Sequence, residues 1–357
     1  MATLLEYECP SCGGALQFDS GLQLVKCPFC DSEFPVDTFL DRDAFLEEEA
    51  PQQAPQEETQ DNLWQEEEKI SSYLCQSCGG EIICDESTAA TSCPYCDSPV
   101  VMKERLAGTL RPDLVIPFKL DKEAAKAALQ KHVSGKVLLP KCFKSENRIE
   151  KLQGIYVPFW LYDAQADGDV HYKATKVRTW SDSNYNYTQT RHFRLRRAGT
   201  VDFEAVPVDA SSKMANELME SIEPYDLSQA VDFQTAYLAG YLADKYDVTA
   251  ETTMPRAEER MKLSTGDALR NTAQGYTTVS VEHSNIKIHS RRVRYALLPV
   301  WMLNTHYQGK DYVFAMNGQT GKMVGDLPMD KGAYWLWFTL ISVIGAAAAY
   351  VLGLLLG

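Results

Sequence analysis

Apolar and polar positions alternate at strand spacing over several stretches in the middle of the chain and recur at helical spacing over others. Asp121 precedes Lys-Glu-Ala-Ala-Lys-Ala-Ala-Leu, which predicts an N-capped helix running to Val133 and closed by Ser134-Gly135. Strands are predicted at 155–162 and 170–180, and a strand pair over 191–206 with its turn at Ala198-Gly199. Helices follow near 212–222, stopped by Pro224, near 228–246, and near 255–273, where Pro255 suits a first helical turn. Strands at 277–283, 285–294, 295–303 and 312–316 close the region, with turns at Asn317-Gly318 and Thr320-Gly321. Residues 106–330 therefore read as one α+β domain.

The pattern changes at both ends. Residues 332–357 carry no charge, and their apolar heart from Trp335 to Leu356 is 22 residues long. As a helix that is roughly 33 Å, enough to span a bilayer. Tyr334, Trp335 and Trp337 stand at its start, where aromatic rings favour the membrane interface, and Lys331 is the last charge before it. A transmembrane tail anchor over 333–357, in contact with membrane lipid, is the expectation. A buried core helix is the competing one.

Near the N-terminus one stretch occurs twice. Cys9-Pro10-Ser11-Cys12 and Cys27-Pro28-Phe29-Cys30 are repeated as Cys75-Gln76-Ser77-Cys78 and Cys93-Pro94-Tyr95-Cys96, at a constant offset of 66. Twelve of 28 aligned positions are identical, including all four cysteines, Gly13-Gly14 with Gly79-Gly80, and the Asp-Ser that follows the second pair. Two Cys-x-x-Cys turns bring four thiolates around one ion in a closed tetrahedral site. The pattern predicts zinc ribbons at 1–40 and 73–105 holding two structural Zn2+ ions, each needed for its ribbon to fold. Disulfide-bonded loops are the alternative. Met1–Glu8 has neither a basic stretch nor a long apolar run, so no export signal is expected, and a reducing cytosol argues for metal. Four thiolates fill the coordination shell, which points away from catalysis at the ion. Of the two remaining cysteines, Cys84 aligns with Phe18 and reads as core, and Cys142 stands alone between Lys141 and Lys144.

Charge separates the ribbons. Between Asp41 and Lys69 eleven acidic residues face two basic ones, so 41–72 reads as a solvated, flexible linker in a chain of net charge −14. Such a segment repels phosphate backbones and weighs against nucleic acid as a partner. Basic residues gather elsewhere, at Lys173, Lys176, Arg178, Arg191, Arg194, Arg196 and Arg197, with Tyr185, Tyr187 and Phe193 nearby. Lys287, Arg291, Arg292 and Arg294 form a second basic run. These strands could bind single-stranded nucleic acid or anionic headgroups, or be solvated faces paired with local acids.

A weaker repeat lies inside the α+β region. Val157-Pro158-Phe159-Trp160-Leu161 matches Leu298-Pro299-Val300-Trp301-Met302 in its Pro-x-Trp-aliphatic core. Two related halves sharing one sheet are expected, although independent core strands using Pro and Trp would give the same match. No catalytic constellation emerges, and the chain does not read as an enzyme. Asn317-Gly318-Gln319-Thr320-Gly321-Lys322-Met323 lacks the first Gly and the final Ser or Thr of a phosphate loop, and the six histidines form no metalloprotease motif.

The paired ribbons, together with Ser221-Ile222-Glu223-Pro224-Tyr225, Tyr237-Leu238-Ala239-Gly240-Tyr241, Leu298-Pro299-Val300-Trp301 and Met316-Asn317-Gly318-Gln319-Thr320-Gly321-Lys322, resemble bacterial membrane-associated TFIIB-type zinc-ribbon proteins. These are often labelled primosomal helicase-like, a label the missing nucleotide site does not support. Relatives occur beside SPFH (stomatin/prohibitin-like) and phage-shock-type proteins. The resemblance implies a membrane scaffold with a protein partner of that kind, in envelope stress. The reading is a tail-anchored, cytosol-facing adaptor with no evident small-molecule substrate; its alternative is a membrane-tethered nucleic-acid-binding protein.

Overall fold

The computed structural model describes residues 4–5, 7–43, 71–74, 81–84, 88–92, 99–102, 111–140, 143 and 152–356. Its N-terminal part holds β1 (Leu4–Leu5) and a three-stranded sheet of β2 (Gln17–Asp19), β3 (Leu24–Lys26) and β4 (Glu33–Phe34). Next come the hairpin β5 (Ser71–Leu74) and β6 (Glu81–Cys84), and the hairpin β7 (Thr88–Ser92) and β8 (Pro99–Met102). The expected linker lies almost wholly outside the described residues, as does Cys142.

The α+β region follows. Its first part has β9 (Leu114–Val115), α1 (Lys122–Val133), β10 (Gln153–Ser181), β11 (Asn186–Asp209) and α2 (Asn216–Ser221). Its second has β12 (Val231–Asp232), β13 (Leu242–Asp244), α3 (Ala250–Asn271), β14 (Thr278–Tyr307), β15 (Lys310–Asn317) and β16 (Met323–Gly325). The C-terminal helix α4 (Lys331–Leu356) completes the chain. As expected, Asp121 caps α1, its side chain accepting from the Ala124 N–H at 2.7 Å.

The core is a duplication that can be followed bond by bond. β10 and β14 run antiparallel down the middle of the sheet. Leu114 and Val115 pair parallel with Ala296 and Leu297 of β14, and Leu242 and Ala243 pair parallel with Ile155 and Tyr156 of β10. A shift of 141 along the long strands carries Ile155 onto Ala296 and Trp160 onto Trp301. The Trp160 indole N–H donates to the Val248 carbonyl ahead of α3 at 2.9 Å, and the Trp301 indole donates to the Leu120 carbonyl ahead of α1 at 3.0 Å. Each half thus uses its tryptophan to hold the start of the other half's helix. The same exchange recurs in the backbone. Ala210 N–H donates to Pro158 O while its own carbonyl accepts from Asp247 and Val248. Gly318 N–H donates to Pro299 O while its carbonyl accepts from Lys119 and Leu120. Matching local sequence would give matching strands, but not two interlocked copies of one clasp.

Expectations for the strands and the helices are corrected. The strands predicted at 155–162 and 170–180 are one strand, as are those spanning 277–303, and 191–206 is a single strand with no turn at Ala198-Gly199. Gly199 lies opposite Gly168, and the pair makes room for Leu269 of α3; a Cβ on Gly168 would sit 2.7 Å from Leu269 Cδ1. The true turn is at 182–185, where the Asp182 carboxylate accepts from the Asn184 and Tyr185 N–H groups. β10, β11 and the first part of β14 therefore form a three-stranded arm. From 163 to 181 it measures about 60 Å at strand rise.

The helix predicted at 228–246 is absent. That segment makes 3-10 turns at Leu227–Gln229 and Thr235–Leu238 and the edge strands β12 and β13. Gly240, at φ +87°, breaks any helical repeat there, and pairing with β9 and β10 takes over. The helix predicted from Pro255 starts five residues earlier, at Ala250. The Tyr162 hydroxyl donates to the Ala250 carbonyl and meets the Thr253 hydroxyl, each at 2.7 Å. The proline lies in the second turn, where it removes a single backbone bond.

The first ribbon packs against the α+β region. Phe18 N–H donates to Ala239 O at 3.0 Å, the Gln23 side chain donates to Phe118 O at 2.8 Å, and the Tyr7 hydroxyl bonds to that of Thr235. Tyr7, Leu16, Phe18 and Val25 belong to the same apolar cluster as Phe118 and Trp301. In the second repeat β7 pairs with β13 and β8 with β1, so the main sheet runs from the core into that repeat and on to the N-terminal strand.

Candidate metal centre

Cys9, Cys12, Cys27 and Cys30 converge as predicted. Their four sulfurs all lie within 4.8 Å of one another, with Cys9–Cys30 at 3.6 Å and Cys12–Cys27 at 3.5 Å. A tetrahedral Zn–S shell with bonds of about 2.3 Å places its sulfurs roughly 3.8 Å apart, whereas a disulfide needs about 2.05 Å. The spacing suits an ion and not a bridge, and all four cysteines are free. The site fits a metal.

Two matched turns set that geometry. After Cys12 the chain takes Gly13 at φ +71°, with Gly13 N–H donating to Cys9 O and Cys9 N–H donating to Gly14 O. After Cys30 it takes Asp31 at φ +56°, with Asp31 N–H donating to Cys27 O and Cys27 N–H donating to Ser32 O. The left-handed position explains glycine in the first turn and the tolerated aspartate in the second. Ser11 N–H points at Cys9 Sγ, 3.4 Å away. The Ser32 hydroxyl and backbone N–H pull the Cys30 thiol down, while at Cys12 the Gly14 N–H is outweighed by the neighbouring Cys30 and Cys27 sulfurs, which push that thiol up. Without an ion the cluster therefore shares its protons unevenly. Cys9 and Cys27 are buried while Cys12 and Cys30 face outward. The centre is half embedded in the ribbon's core.

Cys75, Cys78, Cys93 and Cys96 lie outside the described residues. The strands around them do not: the first pair falls between β5 and β6, and the second between β7 and β8.

The other motifs of the resemblance bind one another. Asn317 donates to the carbonyls of Ile222 and Pro224, both at 3.1 Å, and its oxygen accepts from the Gln319 and Thr320 N–H groups, both at 2.9 Å. Gln319 accepts from Asp226 N–H and donates to Asp226 O, and Lys322 donates to Glu223 O. The stretches 221–226 and 317–322 are therefore two sides of a single lock, and the glycine-rich turn is occupied by protein. Tyr241 stacks on Phe118 with ring centroids 4.1 Å apart, beside Trp301.

The chain has no matching family model and no matching solved structure. It is similar to the uncharacterized protein YdjG of Bacillus subtilis (strain 168), with 35% identity over 354 residues, 99% of each chain. The chain belongs to the YdjG family.

Five of the eleven basic residues singled out in the sequence are held by nearby carboxylates. Lys173 and Arg194 meet Glu282, Arg196 grips Asp169 through two nitrogens, Arg291 meets Asp202 and Arg294 meets Asp163. Sequence reasoning also missed a cleft of about 780 Å³ between α2 and the sheet, walled by Ile155, Leu242, Met302 and Val324. Its walls come from seven separate elements, β7, β10, α2, β13, β14, β15 and β16, so no local motif announces it.

Among the described residues one helix, at the C-terminus, is long and apolar enough to cross a membrane, and none of its apolar stretch Lys331–Ala349 is buried. Asp330 caps it, accepting from the Gly332 and Ala333 N–H groups, and Asp330 N–H donates to Leu138 O at 2.8 Å. The helix thus begins at a point fixed to the folded region.

Proposed function

We propose that the protein is a tail-anchored, cytosol-facing scaffold whose ribbons bind two structural zinc ions and whose folded region recruits partner proteins to the membrane. The observation that carries this reading is α4. Its first turn is tied to the α+β region, yet Trp335, Leu336, Ile341 and Val343 are each more than 60% exposed. A leucine or isoleucine side chain moved from water into lipid gains on the order of 2 kcal/mol, so a helix of such residues is stable only when covered. The closed thiolate shell gives the metal a structural part. The resemblance to zinc-ribbon proteins found beside SPFH and phage-shock-type proteins supports a partner of that kind and a place in envelope stress. Nucleic-acid binding loses support, because carboxylates on the same strands engage Lys173, Arg194, Arg196, Arg291 and Arg294 and break the basic track along the arm.

Fractionation tests the anchor. The full chain should stay with membranes through a high-salt wash, and a chain ending at Lys331 should be soluble and leave its crosslinked partner in the cytosol. A full chain that washes off would sink the reading. Elemental analysis should return close to two zinc ions per chain; one or none in folded protein would remove the second site or both.

A further inference from the structure

Beyond Thr175, where pairing with β14 ends, the arm continues as a two-stranded hairpin of β10 and β11, and every residue from 176 to 194 is exposed. Cross-strand pairing places Trp180 opposite Tyr187, Arg178 opposite Gln189 and Lys176 opposite Arg191, so these rungs share one face. Trp180 and Tyr187 stack at 5.4 Å, Tyr185 meets Tyr187 at 6.3 Å, and the Arg178 guanidinium lies 5.7 Å from the Trp180 ring centre. Trp180 is 46% exposed, Tyr185 68% and Tyr187 38%, and none of the three belongs to an apolar cluster among the described residues.

Charge sets this end of the arm apart from its root. Nearer the core carboxylates hold cations, as in Asp169 with Arg196, Glu282 with Lys173 and Asp202 with Arg291. At the tip Lys176, Arg178 and Arg191 form no ion pair among the described residues. The nearby carboxylate, Asp182, is spent on the turn and on the Tyr187 hydroxyl at 2.9 Å. In a chain of net charge −14, three uncompensated cations stand one or two rungs behind three open aromatic rings.

We propose that the tip of this arm docks on an anionic bilayer surface, with Trp180, Tyr185 and Tyr187 at headgroup depth and Lys176, Arg178 and Arg191 against lipid phosphates. Indole and phenol rings are apolar bodies with a polar edge and partition to that depth. Each cation held near such a surface strengthens binding about fivefold. Single-stranded nucleic acid would use similar residues, but its phosphates would have to run on along the arm past Asp169 and Glu282. A bilayer meets only the tip. The docking does not depend on α4 being an anchor.

The test uses the full chain carried in phosphatidylcholine nanodiscs and mixed with larger vesicles of phosphatidylcholine alone or containing about one third phosphatidylglycerol. Co-flotation is expected with the anionic vesicles only, and it should weaken as salt rises. K176Q/R178Q/R191Q should lower it on the order of a hundredfold, and W180S/Y185S/Y187S by about tenfold or more. Both sets lie on exposed positions and should leave the melting temperature unchanged. Equal flotation with both vesicle types, flotation unchanged in either variant, or displacement of the vesicles by a single-stranded oligonucleotide at physiological salt would overturn the proposal. A chain that stays soluble without nanodiscs would end the anchor reading alone, and flotation of that free chain would still decide the role of the tip.

Discussion

The two halves of the core share a backbone and differ in what is laid on it. Ala210 and Gly318 occupy equivalent places in the two clasps, each donating to a proline carbonyl and accepting from two N–H groups. Around that frame the side chains have parted. On the Gly318 side Phe118 lies so close that a Cβ would stand 2.7 Å from its ring, Tyr241 stacks behind it, and the first four-cysteine segment covers the group. On the Ala210 side the neighbouring Asp209 is buried against Arg256, which also holds Glu220 at 2.8 Å. Asn317 fills the place of Asp209, paired to Val300 as Asp209 is to Phe159. Backbone bonds are indifferent to side chains, so the frame survives divergence. The layer above it is free to become aromatic in one half and ionic in the other.

Metal removal should break that comparison most severely. A structural zinc site contributes on the order of 10 kcal/mol to the fold that holds it. Chelation, or Cys27→Ser, should unfold the first ribbon. Because Tyr7, Phe18 and Val25 share a core with Phe118 and Trp301, the α+β region should also melt at a lower temperature. A melting profile for that region indifferent to chelator would mean that the ribbon covers Phe118 without supporting it.

Local chemistry was legible in the sequence, and long-range partnership was not. The four-cysteine frame, the Asp121 cap and the repeated Pro-x-Trp core are each written in neighbouring residues, and each appears in the structure. The arm was missed because its turn, Asp182-Ser183-Asn184-Tyr185, contains no glycine, while Gly199 suggested a turn and serves instead as the seat for Leu269. Gln319 meets Asp226 across 93 positions, so the sequence could single out both motifs of the lock without disclosing that they bind each other. The ribbon's docking was hidden for a similar reason. Leu16, Phe18 and Val25 would look the same whether they packed on themselves or on Phe118.

A methyl group sharpens the comparison next. Gly318→Ala must push against Phe118 and against the Pro299 ring, 2.9 Å from the new Cβ, and should cost about 1–3 kcal/mol. Ala210→Gly, at the equivalent clasp, removes a methyl that already fits and should cost about 1 kcal/mol or less. Urea denaturation of the two variants reads the difference directly. Equal losses would show that Phe118 swings aside and that the two clasps are interchangeable in their side-chain layer.

The smallest effect is a tilt with pH, and its sign follows from burial. The Asp209 side chain is fully enclosed; one oxygen is bonded to Arg256 and the other has no partner among the described residues. Burial pushes its carboxyl above the usual range, and Arg256 offsets that only in part. The folded state therefore takes up this proton more readily than the unfolded chain does. The stability it contributes is complete below the ordinary aspartate value and is lost as pH rises through the raised one. Asn317, its counterpart, has no proton to lose. Asp209→Asn should thus remove the decline just above the ordinary carboxylate range, leaving the slope due to Glu223, which burial also raises. Urea midpoints followed across that interval should converge or cross for the parent and the variant. Parallel profiles would mean that Arg256 holds Asp209 ionised throughout, and that the ionic half is as insensitive to pH as the neutral one.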